Sequence, residues 1–523
     1  MTTFGEALDQ ARQLLSAGEL PRAEFIYRRL LEAAPQAVEP WHEMGLLQLQ
    51  AKRPEVAVDC LQRAIALDPG TAAYHGNLGA AFRMLKRPAE AIASFERAFQ
   101  LSSPTAELYN NLALARKDAG QADAALAAFD EALRIRPNYA NGHFNRGNLL
   151  VEMGRLEEAI ESYRRAIQWN PEDAGAHCKL GMVFYDLGRL DEAMACFERS
   201  LVIQPNYPEV RRNRACVWLA QGDFLKGWPE AEWRLECDDS GKWPFSQPRW
   251  DGSPLAGRTL LVYAEQGLGD TLQFIRYIPL VEKCGGRVLV QVQPALVPLL
   301  TQSGFGRWLT TPVTAANFDI QSPLMSLAGL LGDLKGQPFW ERPYLTADPN
   351  RVTQWERRLR DIAGFKIGIA WAGNPNMAQD RHRSVRLAQF APLASVPGVR
   401  LISLQKGGPR EQLAETVGQV DVINLADDLD STGGAFVDTA AMMRNLDLVI
   451  AVDTSVAHLA GGLGVNVWVP LQISPDWRWL TCGEETPWYP SMRLFRQSEF
   501  NCWPPVFEAM ANELRRLVTA NPR

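Results

Sequence analysis

A 34-residue period of small and bulky residues runs through the first two fifths of the chain. Small residues let paired helices approach each other, bulky side chains fill the space between them, and proline ends the second helix of a unit. The pattern therefore predicts repeated helix–turn–helix units. The first row of small residues contains Ala11, Gly45, Gly79, Ala113, Gly147 and Gly181, and the second contains Ala23, Ala57, Ala91, Ala125, Ala159 and Ala193. The row of bulky residues contains Tyr27, Leu61, Phe95, Phe129, Tyr163 and Phe197. The proline row contains Pro35, Pro69, Pro137, Pro171 and Pro205.

The pattern changes after about residue 240, where short apolar runs alternate with segments of helical period. The run LDLVIAV at 446–452 is nearly continuous, which is typical of a strand covered on both faces of a parallel sheet. The sequence therefore predicts an α-helical repeat region followed by an α/β region. The predicted strands are Thr259–Ala264, Arg287–Gln293, Phe318–Gln321, Lys366–Trp371, Val399–Leu404, Leu446–Val452, Val465–Pro470 and Met492–Arg496.

Composition shifts divide the chain into four expected segments. The stretch 241–258 is rich in proline, glycine and tryptophan, and the charged stretch Asp348–Asp361 separates two sets of predicted strands. Two doubly wound halves would face each other across a cleft, with ligands at the carboxyl ends of the strands. The segments are 1–207 (six repeats), 208–244 (a degenerate capping repeat and linker), 245–347 (the first α/β half) and 348–523 (the second half, with a last helix at about Val506–Thr519).

The first candidate corner lies in LLVYAEQGLGDTLQF, where a predicted strand runs through Gly267 and Gly269 into a helix. Glycines permit the tight turn, and Asp270 lies at the helix start. Its carboxylate either faces the cleft or only caps the helix.

The second candidate corner lies in LDLVIAVDTSVAHLAGG, where a buried strand ends at Asp453. The free N–H groups and the helix dipole at Thr454 and Ser455 form a site suited to a diphosphate. We expect His458, one turn further, to face the same cleft.

Together the two corners resemble glycosyltransferases of the GT-B fold, specifically the heptosyltransferase-like family, over about residues 258–500. The resemblance implies a pair of Rossmann-like domains, a nucleotide-sugar donor as substrate, no cofactor, no metal and an inverting reaction. In this sequence it implies Asp270 as the base. The donor site that it implies contains Asp453, Thr454 and His458, beside the helix start at Ser455. It also implies Arg381 or Arg383 as the cation on the leaving diphosphate, and Gln405 and Lys406 near the nucleoside.

The 34-residue period resembles tetratricopeptide repeats over residues 4–207. This implies a solenoid whose first helices line a groove. Amides recur there, and two interpretations are open: they hold the backbone of an extended peptide, or asparagine is simply a common residue of the repeat. Three histidines, His75, His143 and His177, follow the period, which favours a packing role over a ligand role. The amide row contains Asn77, Asn111, Asn145 and Asn213.

The composition narrows the class of protein. The 523 residues contain 46% hydrophobic and 22% charged residues with a formal charge of −6, which gives no cationic excess for nucleic acid. The eight cysteines show no CxxC spacing, and no 18-residue apolar run occurs. The first residues are acidic where a signal peptide is basic and then apolar, so we do not expect them to act as one. We therefore expect a cytoplasmic protein without a membrane span. The DxD triplet Asp428–Asp430 lies in an acidic loop, and no metal site is predicted from it.

Three functions remain open at this stage. The leading hypothesis is a bacterial protein glycosyltransferase whose repeats recruit a polypeptide, a layout similar to that of the O-linked N-acetylglucosamine transferase and of flagellin glycosyltransferases. The first α/β half is short for the resembled family, so the repeats would supply acceptor surface. The alternatives are a transferase acting on lipopolysaccharide or another glycan, and a non-enzymatic scaffold. We also expect the last helix to dock on the first α/β half.

Overall fold

The computed structural model describes residues 3–103, 105–237, 245–310, 317–331, 342–374, 380–407 and 409–520. The chain divides into two compact units, Met1–Val183 and Phe184–Arg523. An all-helical region comes first and a parallel-sheet α/β region follows it. This order is the one that the sequence predicts.

The helical region consists of consecutive helix pairs. The helices are α1 (Phe4–Ser16), α2 (Leu20–Ala33), α3 (Val38–Gln50), α4 (Pro54–Leu67), α5 (Ala72–Met84), α6 (Pro88–Leu101), α7 (Ala106–Asp118), α8 (Ala122–Ile135), α9 (Ala140–Glu152), α10 (Leu156–Trp169), α11 (Ala174–Asp186), α12 (Leu190–Ile203), α13 (Pro208–Ala220) and α14 (Phe224–Ala231).

The small and bulky rows of the sequence meet inside each helix pair. A Cβ added to Gly79 would lie 2.7 Å from Phe95 Cε1, and one added to Gly147 would lie 2.8 Å from Tyr163 Cε1. Real Cβ atoms do not approach so closely, so a ring in the second helix requires the missing side chain in the first. This contact explains why the two rows follow the same 34-residue period.

The proline row is tied to the helix that follows it. The residue six positions after the proline donates a side-chain N–H to the proline carbonyl. A carbonyl oxygen only accepts hydrogen bonds, so each histidine in these pairs carries its proton on Nε2. The periodic histidines therefore have the structural role that their spacing predicts. The pairs are Trp41 with Pro35 (2.9 Å), His75 with Pro69 (3.4 Å), His143 with Pro137 (2.9 Å), His177 with Pro171 (3.1 Å) and Arg211 with Pro205 (3.0 Å).

The first sheet has three parallel strands in the order β2-β1-β3. The central strand is buried from its second residue onward. The elements of this half are β1 (Thr259–Tyr263), α15 (Leu268–Phe274), α16 (Ile278–Glu282), β2 (Arg287–Gln291), α17 (Val297–Leu300), β3 (Ile320–Pro323) and α18 (Ser326–Leu331).

The second sheet has six parallel strands in the order β6-β5-β4-β7-β8-β9. The direction of winding reverses between β4 and β7, so a crevice opens at the carboxyl ends of these two strands. The elements are α19 (Pro349–Leu359), β4 (Phe365–Ala370), α20 (Asp380–Arg383), α21 (Ala391–Ala394), β5 (Val399–Ser403), α22 (Gln412–Glu415), β6 (Val422–Asn424), α23 (Val437–Met443), β7 (Leu448–Ala451), α24 (Ser455–Leu463), β8 (Val467–Leu471), β9 (Met492–Arg496) and α25 (Pro504–Ala520).

All eight predicted strands are present, to within two residues at each end, and β6 is an additional short strand. The expectation that the last helix docks on the first α/β half is wrong. α25 packs in the apolar layer on one face of the second sheet, where Phe507 lies 4.8 Å from Phe390 between ring centroids. The second sheet is thereby covered on both faces, as its continuous apolar runs require.

The last helix pair is joined to the α/β region by aromatic packing. Trp228 of α14 lies 5.1 Å from Trp477 and 6.3 Å from Phe274 between ring centroids, edge to face in both cases. A 3₁₀ turn, Glu232–Glu236, then leads toward the first sheet. The end of the repeat region is therefore part of the same apolar core as both sheets.

Candidate functional site

A cleft of about 1550 Å³ lies at the carboxyl ends of the strands of both sheets. It brings together ten of the eleven residues that the sequence predicts for the reaction and the donor. The side chain of Arg381 lies outside the described part of the chain. The ten residues are Gly267, Gly269, Asp270, Arg383, Gln405, Lys406, Asp453, Thr454, Ser455 and His458.

The two predicted corners are in direct contact. α15 begins directly after Gly267 and α24 begins directly after Thr454, so each helix starts where a strand ends. A Cβ added to Gly269 would lie 2.9 Å from His458 Cδ2 and 3.5 Å from the Cα of Ser455. The absence of a side chain at Gly269 therefore allows the starts of the two helices to approach.

Asp270 combines the two roles that the sequence leaves open. Its Oδ2 accepts a hydrogen bond of 2.9 Å from the N–H of Gly267, which caps α15. Its Oδ1 accepts from Nη2 of Arg478. The carboxylate also lines the cleft and is about a quarter exposed, so substrate can reach it.

The start of α24 presents unpaired polar groups to the cleft. Thr454 has extended backbone and no side-chain capping bond, and among the described residues its buried hydroxyl has no partner. The first N–H groups of a helix have no partner within the helix, and they carry the positive end of its dipole. This corner can therefore bind an anion.

His458 is buried one turn further along α24. Its Nδ1 lies 2.9 Å from the hydroxyl of Tyr489, and its ring is stacked on Trp479 at a centroid distance of 5.3 Å. Burial, reinforced by the charge of Arg478, holds the pKa of His458 well below its usual range. The imidazole is therefore uncharged at neutral pH and acts as a polar, neutral wall of the cleft.

Asp453 precedes α24. Burial, together with the charge of Asp476, raises the pKa of Asp453 to about 6, while Arg383 acts in the opposite direction. A carboxyl with a pKa near 6 exchanges its proton close to neutral pH. Perturbed carboxyl groups in a cleft are common features of functional sites.

Two predicted cations lie on the β4 and β5 side. Arg383 donates through Nε to Asp380 Oδ1 at 3.1 Å, which leaves its terminal nitrogens available to the cleft. Lys406 is exposed, and its Nζ donates to the carbonyl of Leu429. Both cations follow the carboxyl ends of strands beside the start of α24.

Gln405 shapes the wall of the cleft through its side-chain amide. Its Oε1 accepts from the N–H groups of Trp371 and Ala372, and its Nε2 donates to the Ala372 carbonyl, each at 3.0 Å. These bonds hold the chain that leaves β4. The sequence places Gln405 near the nucleoside, and in the structure its amide oxygen is already saturated by the protein.

Three arginines that line the cleft, Arg234, Arg249 and Arg478, were not predicted from the sequence. Arg478 lies in the 3₁₀ turn Trp477–Trp479, and Arg234 lies in the turn that follows the helical repeats. Arg234 donates to both carboxylate oxygens of Glu265, at 2.9 and 3.2 Å. Glu265 directly follows the predicted strand Thr259–Ala264, so a search for polar residues at the carboxyl ends of strands could have identified it. The arginines belong to no local sequence pattern.

Both carboxylates of the acidic triplet have partners within the protein. Asp430 accepts from the N–H groups of Asp438 and Thr439 at 2.6 and 3.1 Å and thereby caps α23. Asp428 is paired with Arg358. Within the described ranges no group of three or more His, Cys, Asp or Glu side chains could hold a metal ion.

The amide row links successive first helices of the repeats. Asn77 Nδ2 lies 2.8 Å from His42 Nε2, and Asn145 Nδ2 donates to Asn110 Oδ1 at 2.9 Å. Asn111 lies half-buried on α7, and Asn213 lies half-buried on α13 in the second unit. Asn77 and Asn145 therefore stabilise the stacking of repeats, and each keeps polar atoms for a further partner.

None of the helices in the described part of the chain combines the length and the apolar character needed to cross a membrane.

Comparisons with known proteins identify the repeats. Tetratricopeptide repeat models match residues 42–106 and 174–207, and a TPR repeat model matches 113–154 and 147–188. The chain therefore contains tetratricopeptide repeats, as the 34-residue period predicts.

One curated relative and several solved structures are similar to parts of the chain. "Protein FlbA" of Caulobacter vibrioides is 29% identical over 332 residues, which cover 58% of this chain and 54% of the relative, so the chain spans about half the length of that relative. YrrB, described as "a TPR protein with an unusual peptide-binding site", is 20% identical over 35% of this chain and 95% of its own, with a TM-score of 0.29. PilF of Pseudomonas aeruginosa is 19% identical over 40% and 96%, with a TM-score of 0.36.

The contact between the two corners predicts different changes in stability at two neighbouring glycines. Gly269→Ala should push His458 away and lower the free energy of unfolding by about 1–3 kcal/mol, the usual cost of overpacking. Gly267 has a φ of −69° and faces only Asp270 Oδ2 at 3.4 Å, so Gly267→Ala should change stability by less than about 1 kcal/mol. Urea unfolding of the full chain measures both, and equal stabilities would show that the corners are not in contact.

Proposed function

We propose that the chain is a glycosyltransferase that moves a sugar from a nucleotide-sugar donor to a protein acceptor recruited by the tetratricopeptide repeats. The observation that carries the proposal is the cleft. It places one carboxylate, Asp270, opposite an anion-binding helix start and two cations, at the carboxyl ends of two parallel sheets. The GT-B pairing of Rossmann-like halves is part of this proposal.

The strand order supports a nucleotide site in the second half. If β4 is counted as the first strand, the order reads 3-2-1-4-5-6, which is the order of dinucleotide-binding doubly wound sheets. In such sheets the ligand binds where the winding reverses, outside β4 and β7 here. Lys406, Arg383 and the start of α24 all lie at that edge.

The charges of the donor side suit a diphosphate. Negative charge collects on the leaving nucleotide as the glycosidic bond to it breaks. The N–H groups at Thr454 and Ser455, together with Arg383 and Lys406, would stabilise this charge, and the loss of one such preorganised donor commonly costs about 3 kcal/mol. This arrangement supplies the positive charge without a metal ion, so we propose a metal-independent reaction.

Asp270 is proposed as the general base. An acceptor hydroxyl is a weak nucleophile, and its proton must leave as the oxygen attacks the anomeric carbon. Among the described residues each carboxylate oxygen of Asp270 accepts one hydrogen bond, which leaves each oxygen a further lone pair for an acceptor hydroxyl in the cleft. Attack from the face opposite the leaving diphosphate would invert the anomeric centre.

The position of the end of the repeat region supports the proposal that the acceptor is a protein. Residues 234–237, which follow the last helix pair, line the cleft beside Glu265 and Asp270. The Arg234–Glu265 ion pair anchors this segment to the end of β1. An acceptor held by the last helix pair would therefore lie beside the cleft, and a glycan acceptor would not need this continuity.

Replacement of the proposed base should stop transfer without loss of donor binding. Asp270→Asn keeps the size of the side chain and can keep the cap of α15 through its amide oxygen, but its NH₂ group then faces the guanidinium of Arg478, so we expect a lower melting temperature with a nucleotide affinity close to that of the wild type. Transfer should fall by about 10²–10⁴-fold, the range for a general base. Release of free nucleotide from a panel of nucleotide sugars measures turnover, and undiminished turnover would remove Asp270 from this role.

Replacement of the amide row should separate acceptor binding from donor chemistry. Asn77, Asn111 and Asn145 changed together to Ala should weaken binding of a polypeptide acceptor and leave donor hydrolysis unchanged. Because two of these amides also link repeats, the matched control is His42→Ala, which breaks the Asn77 contact from the other side. Acceptor affinity measured by calorimetry decides the point: an unchanged affinity in the triple variant, or an equal loss in the control, would contradict a peptide-binding groove.

A further inference from the structure

Arg478 is a buried cation that extends from the second α/β half to the first. It lies in the turn that follows β8, it is 6% exposed, and it also lines the cleft. Its partners on the first half, Asp270 and Gln273, are more than 200 residues away in sequence. The local sequence around it contains no feature that explains this contact.

Three different nitrogens of the guanidinium have separate partners. Nε donates to Gln273 Oε1 at 2.6 Å, Nη1 donates to Asp476 Oδ1 at 2.8 Å, and Nη2 donates to Asp270 Oδ1. Asp270 and Gln273 lie one turn apart on α15, so the planar group contacts two positions of one helix face at once. Only arginine combines such a planar set of donors with a permanent charge.

Aromatic rings fix the plane of the guanidinium. Its central carbon lies 4.3 Å from the centroid of Trp477 and 5.6 Å from that of Phe274. Burial alone would lower the pKa of Arg478, but the carboxylates of Asp476, Asp270 and Asp453 raise it. The side chain is therefore charged and immobile.

As a result, both oxygens of the Asp270 carboxylate are held by hydrogen bonds. Gly267 bonds to Oδ2 from within the first half, and Arg478 bonds to Oδ1 from the second half. With Gly267 alone, the group could rotate about its last torsion while still capping α15. With both bonds, the free lone pairs have one fixed direction into the cleft.

We propose that Arg478 is the positioning residue of the reaction, because it holds the Asp270 carboxylate in its productive orientation across the two α/β halves. The inference rests on the proposed role of Asp270 as the base. It assigns to the second half a contribution to acceptor activation in addition to donor binding. Neither half then forms a complete base without the other.

The test is a double-mutant cycle on turnover. Arg478→Gln should reduce nucleotide release in the presence of acceptor by about 10²-fold, which a misplacement of about 1 Å can cost, with the nucleotide dissociation constant unchanged. In an Asp270→Asn background the same change should cost less than about threefold, because a residue that acts through Asp270 has nothing left to position. An equal loss in both backgrounds would overturn the proposal.

Arg276 is the matched control. It is fully buried, it also contacts the second half through the carbonyl of Trp488 at 2.9 Å, and its other bonds go to the Gln273 carbonyl and the Tyr344 hydroxyl. Arg276→Gln should lower the melting temperature, and any loss of turnover should be the same with and without Asp270. If the Arg276 change shows the cycle expected for Arg478, positioning is not specific to Arg478 and the proposal fails.

Arg478→Lys serves as the conservative variant. It keeps the charge, so it should fold even if Arg478→Gln does not, and its single ammonium nitrogen cannot reproduce the three spread donor positions of the planar guanidinium. Its turnover should lie between those of the wild type and Arg478→Gln, and its loss should again vanish in the Asp270→Asn background. A loss that persists there would count against positioning.

Crystal structures separate this proposal from the proposed function. If the wild-type protein turns over no nucleotide sugar in the panel, the proposed function fails by itself. The position of the Asp270 carboxylate then decides the positioning role. It should rotate away from the cleft in Arg478→Lys and remain in place in Arg276→Gln, and an unmoved carboxylate in both would overturn the inference.

Discussion

The approach of two helix starts is the constraint on which the whole site depends. α15 and α24 each begin at the carboxyl end of a strand, and Gly269 has no side chain that would keep the ring of His458 at a distance. This contact joins the ligand-binding edges of two different sheets. Asp270 on one edge and the anion-binding corner on the other are close for this reason, and a larger residue at Gly269 would separate them.

The same edges also receive the end of the helical repeats. The seventh helix pair packs its Trp228 against Trp477 and Phe274, and the following turn is anchored by the ion pair between Arg234 and Glu265. The repeat region therefore ends as a wall of the cleft.

Local patterns predicted the elements and ten of the residues that line the cleft. Continuous apolar runs identified eight strands because strands buried on both faces contain few polar residues, whereas β6, with three residues that are only partly buried or exposed, gives no such signal. Strand ends identified Asp270 and Asp453 because loops at the carboxyl edge of a parallel sheet converge. The docking of α25 was expected from the family resemblance, and the packing of Phe507 contradicts it.

The residues that the sequence did not reveal act over long distances in the chain. Arg478 is 208 residues from Asp270, and Arg234 is 31 residues from Glu265, so neither contact follows from spacing within one element. The amide of Gln405 was assigned to a ligand because of its place after β5, but buried N–H groups of the neighbouring loop use it first. The position of a residue in the fold is therefore easier to predict from the sequence than the hydrogen-bond partner of its polar side chain.

The most direct test of the account is a calorimetric titration of the full chain with UDP, GDP, ADP and CMP, each in the absence of a metal ion. The account predicts that at least one nucleotide binds at a single site and that Lys406→Ala together with Arg383→Ala weakens this binding by at least tenfold. Binding of none of the four nucleotides, or binding that the double variant leaves unchanged, would contradict a nucleotide site in the cleft.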